Sequence, residues 1–325
     1  MIKTGIIGGS GHRAGELIRL LINHPDVDLV WVNNPDATGH KVCDTHLGLT
    51  GEFELPFTAT ADLSSVDIVF SCLPKGRSKE FFSSVTLPDE LKIIDLSSDY
   101  RSSDAPEGHD FVYGLAELNR KAMVRGARHV ATPGSVAMAV ELALLPLARN
   151  LMLNKPVHIT AITGTTDTET APESVIDFER RHDNISLSRA FVHPQLDEIK
   201  AVFAELQTSY GADLNLLSFG GSFPRGTFIA AYLDCAVGLD EIRRLYEEYY
   251  SDHNFTFIVD RPVDIKDVAN TNKCLIHLDK IGDRLLVTAA IDNLLKGASG
   301  NAVHCMNLLF GLHERTGLQL KGSAY

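Results

Sequence analysis

Positive charge is scarce in this sequence. The 30 Lys and Arg face 42 Asp and Glu, a formal net charge of −12 at pH 7. A chain that neutralises phosphate backbones or coats an anionic membrane carries the opposite balance, so no nucleic-acid or membrane partner is expected. Cysteine is scarce too: Cys43, Cys72, Cys235, Cys274 and Cys305 stand far apart without CxxC spacing. That excludes a zinc ribbon or a disulfide framework and fits reduced, buried thiols; no metal is expected. No apolar run approaches the roughly 20 residues of a membrane span. The opening "MIKTGIIGGSG" enters a strand pattern directly, without the apolar stretch of a secretory leader, and a cytoplasmic protein is the expectation. Internal repeats and low-complexity segments are also lacking.

What is present is a two-domain α/β rhythm. At 325 residues the chain exceeds what one compact core usually organises. In the first third of the chain, short apolar runs ("TGIIGG", "VDLVWVNN", "VDIVFSCLP", "LKIIDLSS") alternate with amphipathic ones ("AGELIRLLINH", "KEFFSSV"). This order of strand and helix predicts a doubly wound parallel sheet whose strand ends face a ligand crevice. A long apolar helix is expected from about residue 136 to 153. Residues 213–291 read as a mainly antiparallel sheet crossed by the helix "LDEIRRLYEEYY", with a hairpin turn at "IGD". The last segment reads as a turn followed by a helix.

Several groups in this pattern carry chemistry. Gly9, Gly11 and Ala14 fit G-x-G-x-x-A directly after a strand and at the opening of a helix. In that setting the backbone N–H groups of Gly8, Gly9, Ser10, Gly11, His12 and Arg13 can hold a pyrophosphate. The second strand ends in Asn33 and Asn34, where an acid would grip a ribose hydroxyl in an NAD enzyme. The missing acid leans towards NADP, while Asp36 nearby leaves NAD open. "FSCLPKG" brings Cys72, Pro74, Lys75 and Gly76 to the next strand end, as a loop over the cofactor or as a plain surface turn. Ser97, Asp99 and Arg101 follow another strand end and form a second polar group there.

Ser135, in "HVATPGSVAMAVELALLPLA", opens the long helix. A serine there is either a helix cap worth about 1 kcal/mol or a nucleophile that needs an adjacent base. His193 in "FVHPQLDEIK" is the candidate base, against a solvated loop histidine. Arg225 in "FPRGTF" is an oxyanion or phosphate clamp, or a surface arginine.

Together these stretches resemble the N-acetyl-gamma-glutamyl-phosphate reductases of arginine biosynthesis over nearly the whole chain. "GGSGHRAGELIRLLINHP", "IIDLSSDYR", "FVYGLAELNR", "FPRGTF" and "NLLKGASGNAVHCMNLLFGL" carry the resemblance. It implies a Rossmann-type dinucleotide-binding domain over 1–135. It also implies an inserted α+β substrate and dimerisation domain over 136–294, like that of aspartate-semialdehyde dehydrogenases, and a helix over 295–325 returning to the first domain. NADP, an acyl phosphate or its semialdehyde, and a homodimer or homotetramer come with it. Asn301 joins the cofactor-binding set, and Ser97, Asp99, Arg101 and Arg225 the substrate-binding set. In the family, a cysteine in N-P-G-C attacks the acyl phosphate, and the resulting thioester accepts hydride from NADPH. Here the motif reads Thr132-Pro133-Gly134-Ser135. The glycine-rich S-G-x-S-G-A-G loop corresponds to "TGTTDTET", with Asp167 and Glu169 where small residues are expected. H-x-H-x-P-E-I becomes "HPQLDEI", so Gln195 stands at the second histidine and Asp197 at the proline. Lys75 replaces a histidine and His12 a tyrosine. Three readings follow: a working reductase, a silent relative that keeps the cofactor and pairs with an active homologue, and a pocket turned to another oxidoreduction or to hydrolysis with Ser135 and His193 as nucleophile and base.

Overall fold

The computed structural model describes residues 1–101, 110–167 and 182–322. Two compact units are formed, one of Met1–Pro133 with Ala298–Gln319, the other of Gly134–Gly297 with the segment from Leu320.

The first unit alternates β1 (Ile2–Ile7), α1 (His12–Leu21), β2 (Val27–Asn33), α2 (Val42–Thr45), β3 (Phe57–Thr58), β4 (Ile68–Ser71), α3 (Arg77–Ser84), β5 (Lys92–Asp95), β6 (Phe111–Tyr113), α4 (Ala116–Val124) and β7 (His129–Ala131). Its sheet runs β3-β2-β1-β4-β5-β7-β6 and every pairing is parallel. The order reverses direction between β1 and β4, which opens a crevice at the strands' carboxyl ends. Strands such as β4 and β5 are short apolar runs because both faces are covered. α1 buries Ala14, Leu17, Ile18 and Leu21, the i, i+3, i+4, i+7 stripe of a helix that lies on a sheet.

The second unit begins with α5 (Ser135–Arg149), continues through β8 (Val157–Thr163), β9 (Ser186–Ala190), α6 (Leu196–Leu206), β10 (Leu214–Gly220), β11 (Thr227–Asp234), α7 (Leu239–Tyr250), β12 (Thr256–Ile258), β13 (Cys274–Ile281) and β14 (Arg284–Ile291), and leads by a π-helical turn, Leu295–Ser299, into α8 (Gly300–Leu309) of the first unit. The sheet order is β12-β13-β14-β11-β8-β10-β9. The expected antiparallel ladder holds for β11, β14 and β13, and β8 extends it by pairing antiparallel with β11. β8 with β10 and β12 with β13 are parallel instead, because each pair is joined by a crossover rather than a hairpin. The "IGD" hairpin forms, with Gly282 at φ +58°.

α5 is buried along 14 of its 15 residues, Ser135 to Ala148, as a helix apolar all round must be. Pro146 lies inside it and cannot donate to the Leu142 carbonyl one turn back. The Tyr250 hydroxyl donates to that carbonyl at 2.5 Å and Tyr246 to the Ala143 carbonyl at 2.7 Å. The helix ends at Arg149, short of the expected 153: Leu151 takes φ +57° although Leu153 is fully buried. Apolarity there marks burial, not helix.

Candidate active site

In the first unit the turn after β1 is built from backbone. The N–H groups of Gly8 and Gly9 both donate to the Asn33 carbonyl, at 3.1 and 3.0 Å. A Cβ on Gly9 would lie 2.3 Å from Val32, so the loop must pass this close to β2 as glycine. Gly11 is the opposite case: nothing comes within 4 Å of its Cβ position, and it caps α1 without any side-chain hydrogen bond. The N–H groups of Ser10, Gly11 and His12 have no acceptor among the described residues. A row of open donors at a helix N-terminus suits a pyrophosphate. Asn301 adds a second opening: its amide N–H donates to the Gly114 carbonyl at 2.7 Å, while its buried Oδ1 has no partner among the described residues. The groups present fit a dinucleotide.

Other expected cofactor and substrate residues have defined partners. Asn33 is buried and its amide donates to the Thr58 carbonyl, 3.0 Å, while Asn34 donates its N–H to the same carbonyl. Pro74, Lys75 and Gly76 lie on an exposed turn. Desolvation pushes the Cys72 thiol up to about 12, so it carries no thiolate at neutral pH. The Arg13 guanidinium donates to the Leu96 carbonyl. Ser97 is buried and donates to Asp95 at 2.6 Å; Ser78 donates to the other Asp95 oxygen at 2.6 Å. Burial raises the Asp95 carboxyl above its ordinary value, against these two hydroxyls and the charge of Arg101. Asp99 accepts from the N–H groups of Gly76 and Lys79 at 2.7 and 3.1 Å and so caps α3. Arg101 donates to the Thr132 carbonyl at 2.8 Å.

In the second unit Ser135 is the first residue of α5 and nearly buried. Its hydroxyl donates to the Asp167 carboxylate. The helix leaves four N–H groups without intrahelical acceptors, those of Gly134, Ser135, Val136 and Ala137. α6 and the Gln195 that precedes it supply two acceptors: Glu198 takes the Gly134 N–H at 3.0 Å, and the Gln195 amide oxygen takes the Ala137 N–H at 2.8 Å. Those of Ser135 and Val136 have no acceptor among the described residues. Gly134 leaves room for this cap, since a Cβ there would lie 2.2 Å from the Gln195 amide carbon. Gly297 packs on Ser135 from the other side, its Cβ position 3.0 Å from the serine Cβ.

The pairing of Ser135 with His193 as its base is not made. Nδ1 of His193 accepts from the Gln195 N–H at 3.2 Å, and the ring is held neutral, its pKa pushed down to about 4 by burial and then by the charge of Arg189. Arg225 pairs with Asp292 through two hydrogen bonds, 3.0 and 3.2 Å. Asp292 is fully buried and also accepts from the N–H groups of Asn270, Leu294 and Leu295. Asn293 ties the same strand end together, accepting from Gly226 N–H at 2.7 Å and donating to Thr166 at 3.1 Å. Residues 168–170, with Glu169, lie outside the described residues. Among the described residues no group of side chains could hold a metal, and no helix is long and apolar enough to cross a membrane. The reading by sequence missed the caps Gln195 and Glu198, the buried Lys296 beneath the Phe255 ring, and His46 beside the glycine loop.

Known proteins match both units. Residues 3–125 match the semialdehyde dehydrogenase NAD binding domain, and 136–293 the semialdehyde dehydrogenase dimerisation domain. The N-acetyl-gamma-glutamyl-phosphate reductase of Parabacteroides distasonis is 54% identical over the whole of both chains, and that of Bacteroides fragilis 51%. The chain belongs to the N-acetyl-gamma-glutamyl-phosphate reductase family. A relative from Flavobacterium johnsoniae keeps 43% identity, again over all of both chains. Among solved structures, aspartate semialdehyde dehydrogenase II from Vibrio cholerae, complexed with ASA, superposes with a TM-score of 0.74 at 14% identity, over 96% of this chain and 98% of that one. The Candida albicans enzyme with NADP gives 0.67 at 14%, over 95% and 99%. At that identity the likeness establishes the shared fold: a Rossmann-type α/β domain with a second, mixed α/β domain, as expected.

Proposed function

We propose that this family member reduces an N-acyl-gamma-glutamyl phosphate to the semialdehyde with NADPH, with Ser135 acting at the acyl carbon. The observation that carries the reading is the placement of Ser135: first residue of a buried helix, its proton directed to Asp167, beside two N–H groups with no acceptor among the described residues. In this reading Oγ attacks the acyl carbon as its proton passes to Asp167. The new O–C bond forms, the bond to the phosphate oxygen breaks, and phosphate leaves. The N–H groups of Ser135 and Val136 stabilise the oxyanion. The turn at 8–13 would hold the reduced dinucleotide, which would supply a hydride to the acyl carbon; the Oγ–C bond then breaks, Oγ recovers its proton from Asp167, and the semialdehyde leaves. Arg225, fixed by Asp292, anchors substrate charge. NADP is favoured over NAD because Asn33 and Asn34 bring no acid to the end of β2. A homo-oligomer and a cytoplasmic setting complete the proposal, the latter supported by five free thiols.

An ester accepts hydride less readily than a thioester, so turnover is expected to be slow and Ser135→Cys to raise it by orders of magnitude. NADPH oxidation with N-acetyl-gamma-glutamyl phosphate, for wild type, Ser135→Cys and Ser135→Ala, tests this. Faster turnover by the cysteine variant and none by the alanine variant support it. If wild type and Ser135→Cys are both silent while NADPH still binds, the reductase reading falls.

A further inference from the structure

We propose that His46 is a positioning residue for the dinucleotide: it aims the open donors of the glycine turn at the pyrophosphate. The inference rests on the reading that this turn holds a dinucleotide. His46 follows α2, in a stretch with no periodic pattern, and its ring is wedged between the turn and α1. Nε2 lies 2.6 Å from the Gly9 carbonyl oxygen and, facing an acceptor, carries the proton that it donates. The ring is seated on Gly15, where a Cβ would come within 2.6 Å of Nδ1. Gly15, the single glycine of α1, thus makes room for the imidazole.

The consequence follows from the peptide group. The bond from Gly9 to Ser10 is planar and trans, so its carbonyl and the Ser10 N–H point in opposite directions. Holding the Gly9 oxygen towards His46 turns the Ser10 N–H away from the imidazole. No described residue accepts from that N–H, and Ser10 and Gly11 beyond it are exposed. With Gly8 and Gly9 tied to Asn33 on one side and Gly9 tied to His46 on the other, the peptide plane is fixed before ligand arrives. Fixing donors in advance lowers the cost of ordering them on binding.

The test is NADPH binding by titration calorimetry for wild type, His46→Ala, His46→Gln and Gly15→Ala, with the melting temperature of each protein without ligand and the 31P spectrum of bound NADPH. His46→Ala should weaken binding about tenfold, the worth of one hydrogen bond, and move the pyrophosphate resonances. His46→Gln, which keeps an N–H donor, should recover most of the affinity. Gly15→Ala, which dislodges the ring while leaving His46 in the sequence, should resemble His46→Ala. Unchanged affinity in His46→Ala, or a glutamine variant as weak as the alanine one, overturns the proposal while the dinucleotide reading stands. Wild type that binds no NADPH overturns both.

Discussion

The glycine turn of the first unit and the Ser135 neighbourhood of the second are both built at a helix N-terminus, yet they are built differently. At the turn, the donors are main-chain N–H groups left open and no acid stands in the first turn of α1. At Ser135, side chains fill the corresponding places: Glu198 and Gln195 on two N–H groups, Asp167 on the hydroxyl. A site of backbone depends on the path of the chain and tolerates many side chains. A site of side chains changes character with single residues.

The contrast can be broken most severely at Asp292. Asp292→Ala removes the buried acceptor of Arg225 and of three N–H groups, and should cost about 3–5 kcal/mol in urea unfolding; a loss below 1 kcal/mol would show that Arg225 is not held by this pair. The glycines sharpen it next. Gly9→Ala places a Cβ against Val32 and should lose about 1–3 kcal/mol by overpacking. Gly11→Ala meets nothing and should melt like wild type while weakening NADPH binding, so that calorimetry and melting separate the two positions. Gln195→Ala should lose about 1 kcal/mol as a missing helix cap, checked by the same unfolding experiment.

The smallest effect expected is a pH slope. His193 is neutral in the fold down to about 4 and takes a proton near 6.5 when unfolded. Between those values the unfolded chain binds more protons, so the contribution of the neutral ring is complete above 6.5 and is lost as pH falls towards 4. Denaturation midpoints measured from pH 7 to 4 should fall less steeply in His193→Gln than in wild type.

The open parallel sheet is legible in the sequence because strands covered on both faces must be short apolar runs, and "IVFS" and "KIID" are such runs. The serine at the head of α5 is legible for a similar local reason, a Pro-Gly turn before an apolar helix. What the helix end receives is not. Asp197 and Glu198 read as ordinary acids in the first turn of α6, yet Glu198 serves a different helix 64 residues away. Ser97, Asp99 and Asn33 follow strand ends as a ligand site requires, but their side chains are spent on Asp95, on α3 and on Thr58. Their residue types do not distinguish these uses. His46 left no signal at all, since its partner is a carbonyl, which every residue has.

The return of α8 to the first unit sets an order on synthesis. His24, in the segment after α1, bonds through its ring to Asn307 at 3.0 Å, and Ala302, Val303, Cys305 and Met306 are fully buried. The first unit therefore stays unfinished on the ribosome until the whole second unit has been made. At 5–20 residues per second that is a wait of roughly 10 to 40 s, during which its sheet presents an uncovered apolar flank to whatever chaperones or nascent chains are near.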